Sequence, residues 1–147
     1  MPEQIPLDEK TADFLRHVLS LEKFYPKQLT SDEVELLFPN SGLYEYQPDD
    51  FVICQGDESR DLFIIHSGSV LITKTMGTAG ATLATLKAGD IFGEVALVQD
   101  GVRVANAVAA EKSRIFKLDC QDIKDLMDGN PELCGHLSAL ARARTGK

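Results

Sequence analysis

The chain has 147 residues, 44% hydrophobic and 26% charged, which fits one compact domain with its own core and leaves two cramped. Fifteen Lys and Arg against 23 Asp and Glu give a net charge of −8, and the basic residues are scattered, which argues against nonspecific nucleic-acid binding. No apolar run approaches the roughly 18 residues of a membrane helix, and the first residues lack the basic and apolar regions of a signal peptide, so a cytoplasmic protein is expected. From Asp8 to Phe24 the apolar residues Ala12, Phe14, Leu15, Val18, Leu19 and Leu21 recur near helical spacing, opposite Glu9, Lys10, Asp13, Arg16 and Lys23. That pattern predicts an amphipathic helix. Thr30 and Glu33 stand at capping-box spacing and predict a second, short helix to about Phe38, broken by Pro39-Asn40-Ser41-Gly42. Residues 1–40 thus read as a helical segment, and 41–147 as the body of a single domain.

From Leu43 to Asp119 short apolar runs alternate with turn signals, the pattern of an antiparallel sandwich or barrel. Strands are expected at Leu43–Tyr46, Phe51–Cys54, Leu62–Ser67, Ser69–Thr75, Ala81–Leu86, Val104–Ala109 and Arg114–Leu118. A single helical turn, Gly93 to Val98, interrupts them. Asp119 is placed to cap a helix through Met127, and Pro131 to start another from about Glu132 to Arg144, with Leu133, Leu137 and Leu140 as its apolar stripe. Only 29 residues follow Leu118, so neither a helix-turn-helix nor a catalytic domain is expected in this chain. Cys54, Cys120 and Cys134 form no CxxC pair, and His17, His66 and His136 form no HxH or HExxH pattern. Reduced thiols and no metal site are the expectation, with Cys54 a small core residue and His66 a surface or turn residue.

The informative block runs from Ala88 to Leu97. A glycine turn, Gly89-Asp90, delivers the chain to a short helix at Gly93-Glu94-Val95-Ala96, whose first amides lack intrahelical partners and suit an anion. Nine residues after Glu94, Arg103 supplies a permanently charged planar fork for phosphate oxygens. Glu94 is an acceptor suited to a ligand hydroxyl, a ribose 2′-OH for instance. Ala96 and Ala105 are small enough to let a ligand approach the backbone.

At Gly89, Asp90, Phe92, Gly93, Glu94, Ala96, Leu97, Arg103 and Ala105 the sequence matches the pattern G-D-x-F-G-E-x-A-L followed by R-x-A. In this it resembles the cyclic nucleotide-binding domain, the phosphate-binding-cassette family of protein kinase A regulatory subunits, cyclic-nucleotide-gated channels and catabolite-activator-type regulators. Gln55-Gly56-Asp57 and the run Leu62 to Val70 resemble the family's earlier hairpins. The resemblance implies an α+β fold, an antiparallel β-roll (double-stranded β-helix, jelly-roll-like) flanked by N- and C-terminal helices. It implies that Glu94 holds the ribose hydroxyl, Arg103 holds the cyclic phosphate, and amides around Ala96 and Val104 complete the cradle. Leu133, Leu137 and Leu140 become lid candidates on a C-terminal helix that repositions when ligand is captured. The residue before Arg103 is Val102 where the family often has Pro. Val104 lacks the hydroxyl that helps a guanine base, which leans toward cyclic AMP, with cyclic GMP the second choice. Asn106 stands where Thr is common.

The expected function is noncatalytic sensing of a cyclic nucleotide, with no cofactor, and output to a partner protein or a homodimer through the terminal helices. Two alternatives carry other signatures. A degenerate fold serving as an interaction or assembly module would bind no nucleotide, and a metal-dependent β-barrel enzyme would need histidines closer together than these three.

Overall fold

The computed structural model describes residues 3–19, 30–76, 79–93, 103, 105–129 and 131–145, with side chains for all of these except 75, 76, 79 and 140–145. In chain order the elements are β1 (Glu3–Ile5), α1 (Glu9–Val18), α2 (Ser31–Leu37), β2 (Gly42–Tyr46), β3 (Phe51–Ile53), β4 (Leu62–Ser67), β5 (Ser69–Met76), β6 (Ala79–Lys87), β7 (Ile91–Phe92), β8 (Asn106–Ala109), β9 (Ser113–Leu118), α3 (Cys120–Asp128) and α4 (Pro131–Thr145). One sheet runs β1-β2-β9-β4-β7 and the other β3-β8-β5-β6, with every pairing antiparallel. This is the expected α+β architecture, a β-roll with helices before and after it.

Local chemistry sets the helix ends. Asp8 accepts from the Thr11 amide at 2.8 Å while its own amide donates to Thr11 Oγ1 at 2.9 Å, a capping box that starts α1. Thr30 and Glu33 make the expected reciprocal pair at the start of α2. Asp119 caps α3 through the amides of Gln121 and Asp122. Leu19 closes α1, and the expected continuation to Phe24 lies outside the described residues. Two strands, β1 and β7, have no counterpart among the expected ones, because runs of three and two residues are too short to show a period.

The core has two layers. Between the first sheet and the helices lie Ala12, Leu15 and Leu19 of the α1 segment, Val34, Phe38, Leu62, Ile64, Phe116, Leu118, Ile123, Leu133 and Leu137. Between the two sheets lie Tyr46, Ile53, Phe63, Ile65, Val70, Phe92, Ala107, Ala109 and Ile115. Strand β4 serves both: Leu62 and Ile64 face the helices, Phe63 and Ile65 the opposite sheet. A strand covered on both faces reads as an unbroken apolar run, which is why Leu62 to Ile65 does not alternate with polar residues.

The Pro39–Gly42 break does more than end α2. The Asp122 carboxylate, 3% exposed, accepts from the Asn40 amide at 2.9 Å, from Asn40 Nδ2 at 3.1 Å and from Ser41 Oγ at 2.7 Å. Ser41 Oγ in turn accepts from the Asp119 amide at 2.9 Å. A buried carboxylate is tolerable only when hydrogen-bonded in this way, and the bonds fix α3 to the loop that leads into β2.

Two expectations are corrected. Cys54 is exposed, because β3 ends at Ile53 and the chain turns outward there. His66 is not a turn residue: it lies within β4, half-buried, with its ring 4.9 Å from Phe14 and 5.8 Å from Phe116, edge to face with both. Its Nδ1 is buried without a hydrogen-bond partner. Burial, helped by the Arg114 charge and opposed by that of Asp8, holds the imidazole pKa below its ordinary 6.5.

A depressed histidine pKa means that the folded state favours the neutral ring. The stabilisation is present above the unfolded-state value and is lost as pH falls through the native one. The melting temperature of the native chain is therefore expected to fall between about pH 7 and pH 5 more steeply than that of His66→Leu. Parallel thermal melts across that window test this, and equal slopes would remove the histidine contribution.

Candidate phosphate site around Arg103

Strand β6 leaves the second sheet and turns at Lys87–Asp90, where Asp90 Oδ2 accepts from the Lys87 amide at 2.8 Å and the Gly89 amide reaches Ile65 O at 2.8 Å. The chain then joins the first sheet as β7, with Phe92 opposite Phe63 and Ile91 opposite Ile64. The Phe63 and Phe92 rings stack 5.2 Å apart. This brings Gly93 beside the start of β4, at a φ of +84°. A Cβ there would lie 2.8 Å from Asp61 O and 3.3 Å from Arg103 Nη1. Glycine is required on both counts, the backbone angle and the space.

Arg103 is 7% exposed, not a solvated strand residue. Its main chain is paired with the loop between β3 and β4: its amide donates to Asp57 O at 2.6 Å, and its carbonyl accepts from Gly56 N at 2.8 Å. Its side chain is held by the same loop and by Gly93. Nη2 donates to Asp61 O at 2.8 Å, Nη1 to Gly93 O at 3.0 Å and Nε to Ser59 Oγ at 3.3 Å. All three acceptors are neutral. They orient the guanidinium and satisfy donors that burial would otherwise leave costly.

Asn106, which stands where Thr is common, also has a local role. Its Oδ1 accepts from the Gln55 amide at 2.7 Å, which carries the β3–β8 pairing one step into the loop that holds Arg103. A side chain that accepts where the ladder would supply a carbonyl suits that position.

Of the expected site residues, the structure thus brings Gly93 and Arg103 together, with half-buried Ala105 two residues on. Glu94, Val95, Ala96 and Val104 lie outside the described residues, as does the short helix expected at Gly93 to Val98 beyond its first residue. Leu133 and Leu137 are buried in the helix-side core, in the cluster that includes Leu15, Phe116 and Ile123. Leu140 belongs to α4, but its side chain is outside the described set. The contacts that sequence reasoning missed are Ser59 and the carbonyls of Asp57 and Asp61. Gln55-Gly56-Asp57 marked a turn there, but backbone acceptors leave no signature in residue type. Among the described residues no group of three or more His, Cys, Asp or Glu is placed to hold a metal. A hollow of about 20 Å³ between α1, α2 and the first sheet, lined by Leu15, Val34, Phe38 and Phe116 among others, has room for about one water.

A buried arginine beside a glycine turn, with an R-x-A sequence, is what the comparisons with known proteins bear on. A model of the cyclic nucleotide-binding domain matches residues 43–130. The chain belongs to the cyclic nucleotide-binding domain family. It is 32% identical over 117 residues to a cyclic AMP receptor protein of Thermus thermophilus, covering 79% of this chain and 54% of that protein. It is 34% identical over 108 residues to human cGMP-dependent protein kinase 2, covering 71% of this chain and 13% of that protein. The chain therefore spans about half the length of one relative and a small part of the other. A solved cyclic nucleotide-binding domain from Methylobacillus flagellatus shares the fold, with a TM-score of 0.71 at 21% identity, over 97% of this chain and 80% of that one.

In a domain of this family built as described, Gly93→Ala sets a strained φ and a close contact with Asp61 O against the same backbone. The variant is expected to lose about 2 kcal/mol or more of unfolding free energy. Urea denaturation followed by circular dichroism measures it, and an unchanged midpoint would show that the turn adapts.

Proposed function

We propose that this domain binds a cyclic nucleotide, cyclic AMP in preference to cyclic GMP, without converting it, and signals by repositioning part of its C-terminal helix. The observation that carries the reading is the Arg103 guanidinium, 7% exposed and oriented by bonds to Gly93 O, Asp61 O and Ser59 Oγ. An oriented cation in a partly desolvated site binds phosphate far better than one on a mobile surface side chain. Gly93, which carries one of those acceptors, opens the segment whose amides and Glu94 are the proposed partners of the phosphate and the ribose 2′-OH. The cyclic AMP preference rests on Val104, which offers a guanine base no hydroxyl. Two relatives named for different cyclic nucleotides, one for cyclic AMP and one for cyclic GMP, make the base the point to test.

The proposed mechanism is a population shift. A ligand that touches cassette and lid together favours the closed arrangement by its differential affinity for that state. Leu133 and Leu137 are committed to the helix-side core, so the lid role falls to the part of α4 beyond Leu137, with Leu140 the remaining candidate. The altered surface would be read by a partner protein or a second copy. The proposed setting is cytoplasmic; no helix among the described residues is long and apolar enough to cross a membrane.

Isothermal titration with cyclic AMP and cyclic GMP tests the reading directly. The native chain is expected to bind, with cyclic AMP tighter, and Arg103→Ala to weaken binding by about 2 kcal/mol, roughly thirtyfold. Because Arg103 also satisfies Gly93 O and Asp61 O, the same variant should melt lower, and titrations are to be run well below its melting point. Glu94→Gln is expected to narrow the difference between cyclic AMP and its 2′-deoxy analogue. Absence of heat with both nucleotides at concentrations that reveal micromolar binding would overturn the sensor reading in favour of an interaction module.

A further inference from the structure

We propose that Ser59 is a positioning residue that sets the plane of the Arg103 guanidinium and acts on the ligand phosphate only through that side chain. The proposal rests on the reading of Arg103 as the phosphate ligand and adds to it the residue that tunes the fork. The bonds from Nη1 to Gly93 O at 3.0 Å and from Nη2 to Asp61 O at 2.8 Å hold the two tips of the fork. The bond from Nε to Ser59 Oγ, at 3.3 Å, lies at the base of the fork and restrains the guanidinium at the end where it joins the flexible side-chain stem. Restraint at both ends of the planar group narrows the directions in which its N–H groups point toward a phosphate.

The acceptors at Gly93 and Asp61 are main-chain carbonyls, which no side-chain substitution removes. Ser59, by contrast, contributes a side-chain oxygen that a change of residue type alters. It is also exposed, whereas Arg103 is buried. Its hydroxyl is therefore replaceable by water at little cost in stability, but a water lacks a tether to the loop and holds no orientation. The loop itself is anchored, since Gly56 and Asp57 pair with the Arg103 main chain at 2.8 and 2.6 Å. Ser59 thus sits on a frame already registered to the residue it orients.

A thermodynamic cycle separates this role from direct ligand contact and from a merely structural one. Cyclic AMP is titrated calorimetrically into the native chain, Ser59→Ala, Ser59→Thr, Arg103→Lys and the Ser59→Ala/Arg103→Lys double variant, with a melt of each unliganded protein. Ser59→Ala is expected to bind about three- to tenfold more weakly with a melting temperature close to native. Ser59→Thr, which keeps the hydroxyl, is expected to stay within about twofold of native. In the Arg103→Lys background, where no planar fork remains to be oriented, Ser59→Ala is expected to change nothing further. An equal loss in both backgrounds would show that Ser59 touches the ligand itself or acts through the fold, and overturns the proposal. So would native affinity in Ser59→Ala when the native chain binds. A native chain that binds neither cyclic nucleotide overturns the reading of Arg103, and this inference with it.

Discussion

A guanidinium that is 7% exposed stays inside a β-roll only if its donors meet acceptors, and that need organises the whole rim of this domain. The acceptors come from two places that the chain must bring together: the β3–β4 loop, through Asp61 O and Ser59 Oγ, and the first residue after β7. Each placement has its own cause. The loop is registered by the main-chain pairing of Gly56 and Asp57 with Arg103. Gly93 is delivered by the two-residue pairing of β7 with β4, with the Phe63–Phe92 stack beside it. A hydrogen bond from a charged group to a carbonyl that water does not replace contributes roughly 1.5 to 3 kcal/mol, and stranding a buried charge costs more. The site geometry is therefore part of the stability of the fold, and the absence of a Cβ at Gly93 is part of both.

The two core layers meet in β4, which gives the site a physical connection to the helices. Phe63 packs between the sheets next to Gly93, while its neighbours Leu62 and Ile64 pack against the helix-side cluster that includes Leu133 and Leu137. Cores packed at crystal-like density transmit small displacements instead of absorbing them. At the other end, the Asp122 carboxylate ties α3 to Asn40 and Ser41, so the N-terminal helical segment and the C-terminal one are joined through the same buried group. Movement of α3 alone would leave that carboxylate without partners.

How far the sequence was legible depends on the kind of interaction. Strands β4, β5 and β9 were readable because hydrophobic patterning and turn residues report burial directly, and Thr30 with Glu33 announced α2 by residue type. Strands β1 and β7 were not, since pairing of two or three residues leaves no period. Cys54 was misplaced by a single position: the apolar run suggested one more strand residue, and the chain turned away first. His66 was misread because its neighbours in space, Phe14 and Phe116, are far off in sequence. At the site, Arg103 and Gly93 carried a recognisable spacing, whereas Asp57 O and Asp61 O are backbone atoms that any residue would present. The role of Asn106 depends on its amide oxygen meeting the Gln55 amide, 51 positions earlier in the chain, which residue type alone does not report.

Magnitudes constrain what the proposed lid is able to do. Coupling between two sites in a protein is commonly about 1 to 3 kcal/mol, and burying a leucine side chain is worth roughly 1.5 to 3 kcal/mol. Leu133 and Leu137 are each 1% exposed. Swinging α4 as a rigid rod would bring both into water, at roughly 3 to 6 kcal/mol, more than a typical ligand-driven shift supplies. For the proposed lid, a response within reach of the binding energy would keep the first turns of α4 seated in the helix-side core and move only what lies beyond Leu137. At about 1.5 Å per residue, the eight residues from Ser138 to Thr145 span roughly 12 Å of α4, and a bend at their base displaces the far end without unpacking the core.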